Sequence, residues 1–193
     1  MPQVGAREGN MDTGSSEKMI EGVLVKSLKT HPDSRGFFRE VIRTTDAVFE
    51  GGPFGQWSHS RMARDVVKAW HYHHIQTDWW YCPIGKIETV LYDNRAESPT
   101  FGTKLVLLMG DSSEFPDARE VCVRIPPGVL HGCKVLSNQA HLFYITSVTY
   151  DPADEGRIPF NSPVVAHDWG KNALTVENDR REFVPAKQRT LLT

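Results

Sequence analysis

The sequence lacks the features that would assign the chain to a membrane or to an export route. No run of apolar residues approaches the ~18 that a membrane-spanning helix requires, so no membrane partner is expected. The first 18 residues contain neither the basic segment nor the apolar core of a secretory signal. We expect a disordered leader over residues 1–18 and a single domain over residues 19–193.

The sequence also has no large excess of either charge, and it contains few cysteines. The formal net charge is −2 and the 22 basic residues are scattered, so no nucleic-acid partner is expected. The three cysteines Cys82, Cys122 and Cys133 are an odd number in apolar stretches without a short-range partner. Reduced thiols in a cytoplasmic protein are the simplest interpretation.

What the chain does contain is a series of short runs rich in β-branched and aromatic residues, separated by Gly, Pro and Asn. Alternation with a period of two in such runs predicts many short strands, and therefore an all-β sandwich or barrel. Ten strands are predicted between Gly22 and Thr149. After Tyr150 the pattern changes to a loop-rich tail, in which residues 173–183 are predicted to form one short helix.

Four polar residues within this pattern indicate a site. His71 and His73 are two positions apart in a predicted strand, so both side chains point to the same face. Asp78 follows shortly after, and His131 ends the run Pro-Pro-Gly-Val-Leu-His. A strand that directs two imidazoles into one space beside tryptophans is typical of a functional pocket.

The spacing of these residues is similar to the two-part signature of cupin barrels. The first part is His-x-His followed by Asp78 and Gly85, and the second is Pro-x-Gly-x-x-His ending at His131. This resemblance implies a double-stranded β-helix, the cupin jelly roll, with a short loop/helix C-terminal tail.

Longer segments resemble the dTDP-4-dehydrorhamnose 3,5-epimerase family. The most specific are Asp-x-Arg-Gly-x-Phe-x-Glu from Asp33 and Arg-x-x-Ser-Pro-Thr-Phe-Gly from Arg95. Five blocks occur in the family's order, at residues 33–40, 54–60, 92–102, 125–132 and 150–156. The resemblance implies an epimerase of a nucleotide-linked, dTDP-type 4-keto-6-deoxyhexose, acting at C3, C5 or both.

The resemblance also implies roles for individual residues. His71 matches the family's catalytic base, Tyr150 its acid, and Asp179 the carboxylate that pairs with the base. Six further residues match positions that bind the nucleotide sugar: Arg35, Phe38, Glu40, Gln56, Lys68 and His131. No cofactor is expected, and pairing of the exposed N-terminal strand with a second copy predicts a homodimer.

The chain departs from the family pattern at three positions. Lys68 replaces an Arg, His73 stands where the family often has Gln, and Asp78 stands where a Lys is usual. The second and third changes restore a cupin metal set of His71, His73, Asp78 and His131. Three imidazoles and a carboxylate suit Zn, Fe, Ni or Mn.

These departures leave the reaction open, because a histidine whose lone pair binds a metal cannot also act as a general base. One alternative is metal-free epimerisation with His71 as the base. Another is a metal-dependent cupin isomerase or dioxygenase acting on another small molecule. A third is a ligand-binding protein in which Asp78 only pairs with Lys68 or orients His73.

Overall fold

The computed structural model describes residues 19–49 and 53–185, so the predicted leader over residues 1–18 lies outside it. Twelve strands are formed within these ranges. They are β1 (Leu24–Ser27), β2 (Thr30–Asp33), β3 (Gly36–Arg39), β4 (Gln56–Ala63), β5 (Val67–His73), β6 (Asp78–Ile84), β7 (Lys86–Asp93), β8 (Lys104–Gly110), β9 (Val121–Ile125), β10 (Val129–Val135), β11 (Gln139–Thr146) and β12 (Glu155–Arg157).

The strands form two five-stranded antiparallel sheets and one separate hairpin. The first sheet has the order β1-β9-β6-β11-β4, and the second has the order β12-β5-β10-β7-β8. Strands β2 and β3 pair only with each other. This arrangement confirms the predicted all-β class and its jelly-roll architecture.

The main hydrophobic core lies between the inner faces of the two sheets. Buried aliphatic side chains such as Ile87, Leu91 and Val123 alternate with outward-facing neighbours along each strand. Towards one end of the sandwich the inward-facing residues become polar, and a cavity replaces the core there. The apolar end therefore holds the two sheets together while the polar end forms the site.

The outer face of the second sheet is covered by the segment that follows β12. Trp70 on β5 packs against Trp169 with ring centroids 5.1 Å apart, and both indole N–H groups donate to the carbonyl of Phe160. This cover presses β5 from outside, so its alternate residues His71 and His73 must face the cavity.

The short helix predicted within residues 173–183 is present as a 3₁₀ helix of four residues, Glu177–Arg180, so it is shorter than the range suggested. Backbone groups on either side of this short helix form hydrogen bonds to other parts of the chain. The N–H of Leu174 donates to Asp65 and its carbonyl accepts from Val67, and Phe183 and Arg157 each donate to the carbonyl of the other. These bonds to neighbouring strands replace the ones a longer helix would make within itself.

The other differences concern short strands. β2 and β12 were not predicted, because β2 contains a proline and β12 has only three residues, Glu-Gly-Arg. The predicted turn before β7 is present, with Gly85 at a φ of 78° where a Cβ would lie 2.1 Å from the carbonyl oxygen of Gln139. Among the described residues, no helix is long and apolar enough to cross a membrane.

Candidate active site

The cavity at the polar end of the sandwich has a volume of about 300 Å³. Residues from both sheets line it. The second sheet contributes His71 and His73 from β5 and His131 from β10, while the first contributes Asp78 from β6. His131 lies directly opposite His71 in the β5/β10 register, which brings residues sixty positions apart in sequence side by side. The sequence prediction that His71, His73, Asp78 and His131 share one space is confirmed.

His71 is oriented by a carboxylate. Its Nδ1 lies 3.1 Å from Oε1 of Glu155, a buried residue on β12. A proton held on Nδ1, the nitrogen next to this carboxylate, leaves the lone pair on Nε2. Strand β12 supplies the contact because it pairs with β5 in a register that sets Glu155 opposite His73 and Arg157 opposite His71.

Glu155 is held in its ionised form. Burial acts to raise the pKa of this carboxyl group, but its contacts with His71 and then Arg157 outweigh burial and lower the pKa to about 2. The guanidinium of Arg157 lies 2.5 Å from the same oxygen, Oε1. The carboxylate is therefore a permanent negative charge beside the imidazole at neutral pH.

Asp179, predicted to pair with His71, is displaced from that position. Its Oδ1 lies 3.8 Å from Arg157, and its Oδ2 accepts a hydrogen bond from the backbone N–H of Val176. β12 runs directly beside β5, so Glu155 and Arg157 occupy the space between His71 and the C-terminal segment. The structure thus corrects the predicted pairing: Glu155 contacts His71, and Asp179 contacts Arg157.

Tyr150 reaches the same carboxylate from the loop that follows β11. It lines the cavity together with Glu155, close enough for the carboxylate to act on the phenol electrostatically. Burial and the negative charge of Glu155 raise the pKa of Tyr150, so the phenol keeps its proton at neutral pH. Its backbone N–H donates to Oε1 of Gln56 at 3.1 Å, which fixes the loop to β4. His71, Glu155 and Tyr150 therefore line the same cavity, with Glu155 in contact with His71.

The sequence profile of the family described as dTDP-4-dehydrorhamnose 3,5-epimerase matches residues 17–185. The chain belongs to this family. The prediction of an epimerase from the sequence blocks is confirmed, and membership favours it over the alternative of a dioxygenase.

Several proteins are similar to this chain over most of its length. The spore coat polysaccharide biosynthesis protein SpsL of Bacillus subtilis is 40% identical over 154 residues, covering 78% of this chain and 97% of that protein. The dTDP-4-dehydrorhamnose 3,5-epimerase of Escherichia coli is 33% identical over 172 residues, covering 84% and 88%. The Legionella pneumophila epimerase solved with dTDP-4-keto-L-rhamnose is 26% identical with a TM-score of 0.74, covering 84% and 87%.

The binding residues predicted for this family member separate into two groups. Gln56, Lys68 and His131 line the cavity, as predicted. Arg35, Phe38 and Glu40 lie on or next to the β2–β3 hairpin and are absent from the cavity wall. Arg35 pairs with Asp33 with 86% of its side chain exposed, Phe38 is 64% exposed, and Glu40 pairs with Arg43. Within one copy of the chain, the hairpin group does not reach the site.

The contacts of Asp78 differ from those expected in the alternative in which it pairs with Lys68. Its carboxylate accepts hydrogen bonds from the Gln76 amide at 2.7 Å and from the Trp80 indole at 3.1 Å, while Lys68 donates to Ser60. Pairing of Asp78 with Lys68 was therefore wrong. His131 donates from Nδ1 to the carbonyl of Val129, and burial lowers its pKa to about 4 despite the nearby charge of Asp78.

Sequence reasoning missed Glu155, Arg157 and Gln76. The signal for the first two was present, because Glu155 and Arg157 are two apart, as His71 and His73 are. Neither could be assigned to the site without knowing that β12 pairs with β5. Gln76 is held in place by Asp154. The Asp154 carboxylate accepts hydrogen bonds from the backbone N–H groups of residues 74, 75 and 76, which fixes the loop that carries Gln76.

Proposed function

We propose that this protein inverts one or both stereocentres next to the ketone of a dTDP-linked 4-keto-6-deoxyhexose, with His71 as the base and Tyr150 as the acid. The observation that supports this most directly is the placement of the His71–Glu155 pair and Tyr150 in one cavity. It supplies the two proton-transfer groups that epimerisation beside a carbonyl requires.

The proposed steps follow from the ionisation of these groups. Nε2 of His71 removes the proton from C3 or C5, and the electron pair moves into the carbonyl to form an enolate. The imidazolium that results is stabilised by Glu155, which is already ionised. Tyr150, which is protonated at neutral pH, returns a proton from the other face and thereby inverts the centre.

The size of the cavity supports a division of the ligand into two parts. A volume of about 300 Å³ is at the lower end of the range for ligand pockets, roughly 300–1,000 Å³. The hexose ring fits this space, and the nucleotide then lies along the open rim. The exposed Lys68 donates to Ser60 with one of three N–H groups, which leaves two for a phosphate oxygen.

We propose further that the protein is a homodimer and that the β2–β3 hairpin completes the site of the partner copy. Phe37 and Phe38 are exposed on β3, and Arg35 in the turn of the hairpin offers a guanidinium suited to a phosphate. β1 forms one edge of the first sheet, and Trp57 on the outer face of the same sheet is 67% exposed. A second copy that covers these surfaces would bring its hairpin to the nucleotide end of the cavity.

Solvent exchange tests the epimerase proposal. In deuterated buffer with dTDP-4-keto-6-deoxyglucose, we expect NMR to show deuterium entering C3, C5 or both, because proton removal precedes return from solvent-exchangeable groups. A reaction without protein measures spontaneous exchange. If the protein adds no deuterium to either carbon above that background, the proposal is wrong.

Mixing of two variants tests the role of the hairpin. The Arg35→Ala/Phe38→Ala double variant is expected to bind the nucleotide sugar about tenfold or more weakly, through loss of a charge-assisted contact. His71→Asn removes the base but keeps the hairpin. Mixed dimers then contain one complete site, and random mixing is expected to restore about a quarter of wild-type activity. The rates are measured at substrate concentrations well below the Kd, where weaker binding lowers turnover. If the mixture is then no more active than the average of its two components, the hairpin does not act across the dimer.

A further inference from the structure

A second group of polar side chains in the cavity is separate from the His71–Glu155 pair. His73, Asp78 and His131 each direct one ligand atom into the same space, and these three atoms lie within 4.8 Å of one another. All three side chains are at least nine-tenths buried. Two of them come from the second sheet and one from the first, so the sandwich itself holds them together.

The donors around this group leave lone pairs unmatched. His131 uses Nδ1 on the carbonyl of Val129, so its Nε2 carries a lone pair, and this atom lies 3.9 Å from Oδ2 of Asp78. That distance is too long for a hydrogen bond. His73 faces the same space through Nε2, 3.2 Å from the Gln76 amide nitrogen, while its Nδ1 lies on the other side of the ring, 4.0 Å from Asp154. Among the described residues, Nε2 of His131 receives no hydrogen bond. Buried polar groups left in this state are costly unless a ligand satisfies them.

Gln76 marks the point at which these lone pairs converge. Its amide nitrogen lies 2.7 Å from Oδ1 of Asp78 and 3.2 Å from Nε2 of His73. The amide thus places a positively polarised group between a carboxylate and an imidazole. Rotation of the amide by half a turn brings its oxygen to the same place, because the two ends are nearly identical in shape.

The dimensions of the group suit a small cation. Metal–nitrogen and metal–oxygen bonds are about 2.0–2.2 Å, so adjacent ligand atoms of a tetrahedral site are about 3.4 Å apart. A separation of up to 4.8 Å therefore closes if each atom of the farthest pair moves by under about 1 Å, which small side-chain rotations provide. Two imidazoles, a carboxylate and an amide oxygen are the ligand types that divalent transition metals accept.

We propose that His73, Asp78 and His131 bind one divalent transition-metal ion, with the Gln76 amide oxygen as a further ligand. His71 is not part of this set, because its Nδ1 is committed to Glu155. A bound metal and a free general base are therefore compatible in this cavity. The rings of His71 and His131 are 6.2 Å apart, which leaves room for a substrate carbon beside one and its carbonyl oxygen beside the other.

The role of the ion rests on the proposed epimerase function. An ion at this position would polarise the ketone oxygen and stabilise the enolate that forms when His71 removes a proton. No electrons are gained or lost, and the proton that leaves carbon for Nε2 is replaced by one from Tyr150. The family's usual lysine at the position of Asp78 would provide a positive charge there, and the metal would supply that charge in this chain.

Metal titration tests the site itself. Protein purified without a metal-affinity tag and stripped with a chelator is titrated with Zn²⁺ or Co²⁺ by calorimetry, and we expect one equivalent to bind. Asp78→Asn and His73→Gln keep the shape of their side chains and are each expected to weaken binding by about tenfold or more. Visible absorption of the Co²⁺ form of the unaltered protein reports its coordination even if a variant fails to fold.

The control for this titration is the surface pair His59 and His141, whose ring nitrogens are 2.8 Å apart on the outside of the first sheet. The double variant His59→Ala/His141→Ala is expected to bind metal as the wild type does. Failure of the wild type to bind one equivalent overturns the proposal. So does binding that survives Asp78→Asn and His73→Gln but disappears in the surface variant.

Exchange measurements separate the role of the ion from the epimerase function. We expect the metal-loaded protein to introduce deuterium into the substrate at least about tenfold faster than the stripped protein. Equal rates overturn the catalytic role of the ion. If metal binds at the site but neither form exchanges any proton, the proposed function fails and the metal site stands.

Discussion

Replacing His71 with Asn is expected to lower the rate of epimerisation by about 10²–10⁴-fold or more, the range typical of a lost general base. Asn keeps a polar group of similar reach but cannot accept a proton from carbon. It also ends the contact with Glu155, which in the wild type stabilises the imidazolium. Steady-state rates and calorimetric binding of the nucleotide sugar measure the two effects separately, and binding is expected to change far less than turnover.

A matched control is available at the end of the same strand. His74 follows His73, packs its ring against Tyr72 and is not part of the cavity wall. His74→Asn should therefore leave the rate close to that of the wild type. A His71→Asn variant that retains most of its activity would show that another group is the base.

The same assay distinguishes the two candidate partners of the base. Glu155→Gln removes the charge 3.1 Å from His71 and is expected to reduce turnover by about 10–100-fold, the cost typical of losing a group that orients an active imidazole. Asp179→Asn acts only through Arg157 and should have a smaller effect. The reverse order would favour the pairing that the family resemblance implied.

Replacing Tyr150 with Phe is expected to separate proton removal from inversion. His71 still removes the substrate proton, so deuterium continues to enter the substrate, because a base that has taken up solvent deuterium returns it to the same face. The yield of inverted sugar is expected to fall by about 10²-fold or more, since no acid remains on the opposite face. NMR of one reaction in deuterated buffer measures both quantities.

Tyr92→Phe provides the control for this loss of a hydroxyl. Tyr92 packs with the residues that cover the outer face of the second sheet, away from the cavity. Its variant should exchange and invert at wild-type rates. If Tyr150→Phe produces inverted sugar at the wild-type rate, the acid is a different residue.

Much of the fold was predictable because its signals are local. Strand β7 was predicted with its observed ends, Lys86–Asp93, because an alternating run there is bounded by Gly85 and Asn94. The shared face of His71 and His73 follows from the period of a strand, which does not depend on the rest of the chain. Short strands with a proline or a glycine in the middle, such as β2 and β12, give no comparable signal.

The pairing within the site was not predictable from the same information. Asp179 was assigned to His71 by its match to the family pattern, whereas Glu155 occupies that place because β12 adds to the second sheet beside β5. Which of two carboxylates approaches a histidine is decided by strand register, and register is set by contacts between residues far apart in sequence. The same reason explains why the hairpin residues Arg35 and Phe38 lie outside the cavity. Their motif can be recognised in the sequence, but the direction of their side chains depends on how the hairpin packs in three dimensions.

The sequence alone therefore determined the all-β class, the family and the meeting of His71, His73, Asp78 and His131 in one cavity, since strand period and motif order are properties of short segments. The tertiary structure decided how those residues divide. It placed His71 with Glu155 and Tyr150, and it left His73, Asp78 and His131 as a separate group around Gln76. That division depends on side-chain directions and on distances of a few ångströms across two sheets, which no spacing along the chain specifies.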